Sequence, residues 1–217
     1  MTVSILLADD HAVLRHGVIR LLESADDLEV IGEAENGREA VVRARELQPN
    51  VVVIDISMPL MNGIAAMREI LKSSPKTRIL VLSMHTDERF VHQALTAGAR
   101  GYVEKGAELS ELLDAIRAVA SGSIYLSSNV TGVVVDGYLR QDTPGEEQVY
   151  PNPLSDREIE IVQLLAEGKS TKETAFLLEI SARTVDAHRQ RIMTKLGIDS
   201  VAGLVKWAIR QGLTSEE

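Results

Sequence analysis

Five short runs rich in β-branched residues, each followed by an amphipathic stretch, fill the first 120 or so residues and leave the chain few folds to choose from. The runs are VSILLA, LEVIGEA, VVVID, RILVLS and GYVEK; the stretches that follow them cover residues 13–24, 37–47, 63–73, 88–97 and 109–120. Strands and helices alternating in this way form parallel crossovers, and because those crossovers are right-handed the helices cover both faces of the sheet. The expected N-terminal unit, residues 1–122, is a doubly wound α/β domain built on a five-stranded parallel sheet.

The text then changes. From Asp142 to Pro153 it is rich in Asp, Thr, Pro, Gly and Glu and reads as an exposed linker. Within the whole connection, 123–152, Val133, Val134 and Val135 favour strand by propensity, but no partner strand is evident, so a short helix is the preferred reading. Residues 153–217 give only helical signals. Ser155 with Glu158 and Ser170 with Glu173 are S-x-x-E capping boxes, and Gly168, Gly197 and Gly212 stand where helices end. Four short helices are predicted, near 156–167, 171–178, 182–196 and 201–211, around a core of Ile159, Val162, Leu165, Leu178, Val185, Ile192, Leu196, Leu204 and Trp207. Two cores suit 217 residues of which 45% are hydrophobic.

Charge and composition exclude several functions. A net charge of -9 argues against nonspecific coating of nucleic acid, and the acid is spread unevenly: -5 over residues 1–126, -3 over 127–153 and only -1 over 154–217. No cysteine is present, so disulfides and thiolate metal sites are ruled out. No apolar run is long enough to span a bilayer and no signal region is visible, so a cytoplasmic protein without membrane contact is expected.

In a doubly wound sheet, ligands sit beyond the carboxyl ends of the strands. Asp9 and Asp10 end the first run, Asp55 the third, Ser83 the fourth and Lys105 the fifth. Three converging carboxylates repel one another unless a cation sits among them, and an all-oxygen site suits Mg2+ or Mn2+. Asp55 fits the role of nucleophile toward phosphorus, with Lys105 offsetting charge on the transferred group and the Ser83 hydroxyl donating to one of its oxygens. Taken singly, Asp10 could be a helix cap and Ser83 a turn residue.

The motifs ADDH at 8–11, DISMPLMNG from Asp55 to Gly63, LSMH at 82–85 and AGARGYVEK from Ala97 to Lys105 resemble those of response-regulator receiver domains, over residues 3 to about 120. The resemblance implies a flavodoxin-like strand order 2-1-3-4-5 and phosphotransfer from a sensor histidine kinase to Asp55. It also implies Mg2+ held by Asp9, Asp10, Asp55 and the main-chain carbonyl of Ser57, and a Ser83–Tyr102 pair that rearranges afterwards. The chain departs from many receivers in having Gly106 rather than proline after Lys105, and Met84 in place of a small residue, which narrows access and predicts slower chemistry.

Residues 154–209 resemble the output domain of the NarL/FixJ, or LuxR-type, group through LSDREIEIV, TKETAFLLEISARTV and HRQRIMTKLG. The resemblance implies a helix-turn-helix whose 182–196 helix enters the major groove and whose final helix mediates homodimerisation on double-stranded DNA. At 100° per residue, Val185, Ile192 and Leu196 share one arc, opposite Arg183, Ala187, Gln190 and Thr194, with Arg191 and Asp186 flanking. Gln190 suits adenine, Arg183 or Arg191 guanine or phosphate, and Ala187 a thymine methyl, while Thr184 and Lys195 are phosphate anchors and Lys172 is a further DNA-binding residue. Arg189 reaches a phosphate only from the edge of this face. Relatives with T-V-K at the recognition helix differ from Thr184-Val185-Asp186 here, so a different operator is expected. His188 reads as a packing residue, and His11, His16, His85 and His92 as surface or site-rim residues.

The sequence therefore predicts a transcription regulator switched by phosphorylation, not a dedicated enzyme. A phosphatase or phosphotransferase acting on small molecules through an aspartyl phosphate would want a second acid two residues after the nucleophile, or some acid/base group nearby, and Ser57 at that position counts against it. A DNA-binding regulator whose receiver is only a protein-interaction module, never phosphorylated, remains the alternative. Release of a masked recognition helix and receiver pairing both stay open as routes of control.

Overall fold

The computed structural model describes residues 2–141 and 153–214. Strands β1 (Val3–Ala8), β2 (Leu28–Ala34), β3 (Val51–Ile54), β4 (Arg78–Ser83) and β5 (Gly101–Glu104) alternate with helices α1 (Ala12–Leu22), α2 (Gly37–Leu47), α3 (Gly63–Ser73), α4 (Glu88–Thr96) and α5 (Leu109–Ser121). The strands pair in parallel throughout. Central β3 is fully buried along its length, which is why it reads as an unbroken apolar run and not as an alternation. One core packs Leu6, Ile54, Ile79 and Val81 with residues of α2, α3 and α4; the other packs Ile5, Leu7, Val53, Leu80 and Val103 with residues of α1 and α5.

The sheet has six strands, not five, in the order β2-β1-β3-β4-β5-β6. The sixth, β6 (Tyr125–Leu126), extends the edge beside β5, with Gly101 opposite Tyr125 and Tyr102 opposite Leu126. Two residues carry no periodicity, so nothing in the text marks them as a strand.

After β6, helix α6 (Ser128–Gln141) packs on α4 and β5. Val130, Val133 and Val134 share its inner face and join the receiver core, so tertiary burial overrides the strand propensity of the valine run. The stretch read as a linker, Asp142 to Pro153, lies outside the described residues apart from Pro153.

The C-terminal bundle comprises α7 (Asp156–Ala166), α8 (Thr171–Leu177), α9 (Ala182–Leu196) and α10 (Val201–Arg210). Both capping boxes form: Ser155 and Glu158 close α7, Ser170 and Glu173 close α8. Ile159, Val162, Leu178, Val185, Ile192 and Leu204 are buried, with Leu165, Leu196 and Trp207 packed partly buried around them. Ile161, Leu164 and Ala208 are buried in the same core, and partly buried Leu60, from the loop after β3, packs against it.

Leu60 marks a contact between the two units. Its backbone is left-handed, φ 66°, and its N–H donates to the Glu167 carboxylate at 3.0 Å. Fully buried Gln163 of α7 donates from Nε2 to the Met58 carbonyl at 2.7 Å and accepts the Asn62 N–H at 2.9 Å. Arg68 of α3 pairs with Asp156 at the start of α7. At the far end of the bundle, Arg89 of α4 donates to the Arg210 carbonyl at 2.6 Å and to Gln211 Oε1 at 2.9 Å. Beyond α10 the chain turns at Gly212, φ 62°, where a Cβ would lie 2.4 Å from the Phe90 ring, so only glycine fits.

Candidate functional site

The acid corner is built at the carboxyl ends of β1 and β3. Asp9 and Asp55 are 2% and 4% exposed, and Lys105, arriving from the end of β5, places Nζ 2.8 Å from Asp9 Oδ2 and 2.8 Å from Asp55 Oδ2. Asp55 Oδ1 accepts the Ile56 N–H at 2.7 Å. The loop after Asp55 doubles back so tightly that a Cβ on Gly63 would sit 1.9 Å from the Asp55 carbonyl oxygen. That explains the glycine closing the DISMPLMNG motif. Asn62 caps α3 by accepting the Ala65 N–H, which anchors the far end of the loop.

Ligand atoms of Asp9, Asp10, His11 and Asp55 lie within 4.8 Å of one another, so this donor set fits a divalent cation. Asp10 does not cap α1: the capping position is His11, whose N–H donates to Asp9 Oδ1 at 2.8 Å. His11 Nδ1 is 2.9 Å from Asp10 Oδ1, a closer association with the acid pair than its rim assignment implied. Burial pushes the Asp55 carboxyl up, Lys105 draws it back, and burial prevails. Burial lowers the Lys105 ammonium, but Asp55 and Asp9 outweigh it and hold the group above its ordinary value.

Ser83 and Tyr102 meet at the same backbone. Fully buried Ser83 accepts the His85 N–H at 3.2 Å, and the Tyr102 hydroxyl donates to the His85 carbonyl. Burial raises the Tyr102 phenol, which stays protonated. His85 Nε2 lies 2.9 Å from Ser57 Oγ, and that hydroxyl donates to the Gly212 carbonyl at 3.1 Å. Ser57 has one proton, already given to Gly212, so His85 Nε2 is the donor to Ser57. The sequence placed Ser57 only as a carbonyl ligand and missed this side-chain bridge, because nothing local signals a bond across 155 residues. Met84 is 71% exposed beside Lys105, and every peptide among the described residues is trans, the Lys105–Gly106 bond included.

On α9 the residues assigned to DNA lie on one open face: Arg183, Ala187, Gln190, Arg191, Thr194 and Lys195 are exposed, and Thr184 and Asp186 half-buried. Lys172 of α8 is exposed as well. Two of these groups are already in ion pairs. Asp186 lies 3.1 Å from Arg189, and Lys195 Nζ lies 2.7 Å from Glu158, a buried carboxylate of α7. His188 is half-buried, and burial followed by nearby Arg191 lowers its imidazole, leaving it neutral in keeping with a packing role.

A doubly wound sheet with this acid corner, joined to a capped helix-turn-helix bundle, defines a two-component response regulator of the NarL/FixJ type. The chain belongs to that family: residues 5–117 match the response regulator receiver domain and 152–208 the bacterial regulatory proteins of the luxR family. It is 40% identical to the oxygen regulatory protein NreC of Staphylococcus aureus (strain bovine RF122 / ET3-1) over 213 residues, 96% of this chain and 98% of that one. It also resembles the response regulator ChrA of a heme-sensing two-component system, with 34% identity, a TM-score of 0.53 and 98% of each chain covered. A third likeness is to the two-component response regulator RcsB in complex with DNA, with 25% identity, a TM-score of 0.60, and 95% and 98% of the chains covered. The family is one of regulators and not of dedicated enzymes. Among the described residues no helix is long and apolar enough to cross a membrane.

Proposed function

We propose that Asp55 accepts a phosphoryl group from a sensor histidine kinase and that this controls binding of a homodimer to a double-stranded operator. The observation that carries the reading is the buried Lys105 Nζ bridging the buried carboxylates of Asp55 and Asp9 at 2.8 Å each. An Asp55 carboxylate oxygen forms the O–P bond as the donor's P–N bond breaks, and Lys105 turns from the carboxylate to the phosphoryl oxygens. Asp9, Asp10, Asp55 and the Ser57 carbonyl would hold Mg2+ or Mn2+, which when bound neutralises the converging carboxylates and the incoming phosphate. An apolar groove beside Lys105, lined by Val13, Leu14, Val18 and Met84, supports a protein donor, in keeping with a cytoplasmic kinase domain.

In this reading residues 1–122 carry the phosphotransfer chemistry of the receiver and 153–217 form the output domain, while 123–152 connect them, with β6 and α6 of that stretch packed onto the receiver sheet. The open α9 face, with Arg183, Gln190 and Arg191 toward base edges and Lys172, Thr184 and Lys195 toward phosphates, supports operator recognition. Because that face is already exposed, the route of control we favour is release of the α10 end. The phosphoryl group draws Ser83 and Tyr102 from His85, the His85–Ser57–Gly212 bridge opens, and α10 is freed to pair with a second copy.

Intact-mass spectrometry with Mg2+ and a small phosphodonor tests the acceptor. One phosphoryl mass should be gained by the wild type and not by Asp55→Asn. No gain with any donor would overturn the reading in favour of a receiver that serves only as an interaction module.

A further inference from the structure

Arg15 of α1 carries a guanidinium that the account so far leaves without a role. The residue is 4% exposed, yet the carboxylates it pairs with are solvated. Nε lies 3.1 Å from Glu33, whose side chain is 45% exposed, and Nη2 lies 2.6 Å from Glu35, 68% exposed. Solvated pairs contribute little, and burying a guanidinium is costly, so these two contacts do not account for its position. The third bond does. Arg15 Nη1 donates to the main-chain carbonyl of Asp9 at 2.6 Å, in a fully buried contact.

That carbonyl belongs to the peptide joining Asp9 to Asp10. On its other side the Asp9 N–H donates to Ala34 at 3.1 Å, and Ala34 lies between Glu33 and Glu35, the two residues that tether Arg15. Asp9 therefore has a partner on each polar atom: Ala34 on N–H, Arg15 on C=O, the His11 N–H on Oδ1 and Lys105 on Oδ2. Locking the peptide plane between two successive acids fixes the direction in which both carboxylates leave the backbone.

We propose that Arg15 is a positioning residue for the acid pair, holding the Asp9–Asp10 peptide so that both carboxylates are pre-set for a divalent cation. This rests on the reading of the corner as a cation site. The sign of one measurement separates it from its rivals. Arg15 with Glu33 and Glu35 carries a net charge of -1, so on charge alone deleting Arg15 leaves -2 nearby and strengthens cation binding. A role only in joining α1 to β2 lowers stability and leaves affinity alone. Positioning weakens binding despite the more favourable charge.

The experiment is calorimetric titration of Mg2+ into the unphosphorylated full chain, with thermal unfolding run on the same samples. Arg15→Met is expected to bind Mg2+ about tenfold more weakly than the wild type, the lower end of what residues orienting metal ligands contribute. Arg15→Lys keeps the charge but has a single donor nitrogen in place of three, guards against failure of the first variant to fold, and is expected to bind a few-fold more weakly. Folded variants with unchanged or tighter Mg2+ binding overturn the proposal. A wild type that binds no Mg2+ overturns the cation site itself and the proposal with it, whereas wild-type binding with unaltered variants overturns the role of Arg15 alone.

Discussion

At Glu158 a single carboxylate closes the capping box of α7 and holds the Lys195 ammonium of α9 at 2.7 Å. Burial raises this carboxyl, but Lys195 and the Ser155 amide and hydroxyl outweigh it and hold it below the ordinary glutamate range. A depressed acid stabilises the fold above its unfolded pKa, and that contribution is lost as pH falls through the folded value. Glutamine retains the cap and removes the charge, so Glu158→Gln should cost about 1 kcal/mol near neutral pH. The difference from wild type should shrink as the medium is made acidic below the glutamate range. Denaturation followed by fluorescence of Trp207, the only tryptophan, reads the output domain directly. The same pair qualifies Lys195 as a phosphate anchor, since its ammonium must be shared with Glu158.

At the scale of elements, α9 separates base reading from phosphate anchoring. Gln190→Ala should lose about 1–3 kcal/mol on the matched operator and almost nothing on unrelated DNA. Lys172→Ala, on the neighbouring helix, should weaken both alike and lower the salt slope by about one. Fluorescence anisotropy across a salt series distinguishes the two patterns. The elements were legible to different degrees, for reasons of periodicity and range. Each of β1 to β5 announces itself as a β-branched run, and the S-x-x-E boxes fix the starts of α7 and α8 because a cap is a local contact. β6 is too short for any pattern. The valines of α6 favour strand by propensity, yet with no partner strand in the text a short helix is the reading, and a helix packed on α4 is what forms. In the acid corner Asp9, Asp55 and Lys105 could be placed from strand ends alone. The His85–Ser57–Gly212 bridge and the Gln163 contact could not, since both depend on how two separately folded units meet.

Across the whole molecule, the contact between units is held by a strained loop on one side and a glycine on the other. Gly212→Ala should undock the α10 end, because a methyl there meets the Phe90 ring while the backbone is left-handed. Gly168→Ala is the matched control: its φ is 77°, but a Cβ there meets nothing within 4 Å, so it carries the strain without the clash. The first variant should pair and bind operator without phosphate, as read by sedimentation and anisotropy, and the second should behave as wild type. Equal behaviour of the two would show that the contact restrains nothing. The central claim is the link between Asp55 and DNA, and its most direct test is an operator titration of the full chain with and without phosphodonor, alongside Asp55→Asn. The account predicts binding at least tenfold tighter, about 1.4 kcal/mol, on phosphorylation of the wild type and no response from the variant. Equal affinity of the phosphorylated and unphosphorylated wild type would contradict it.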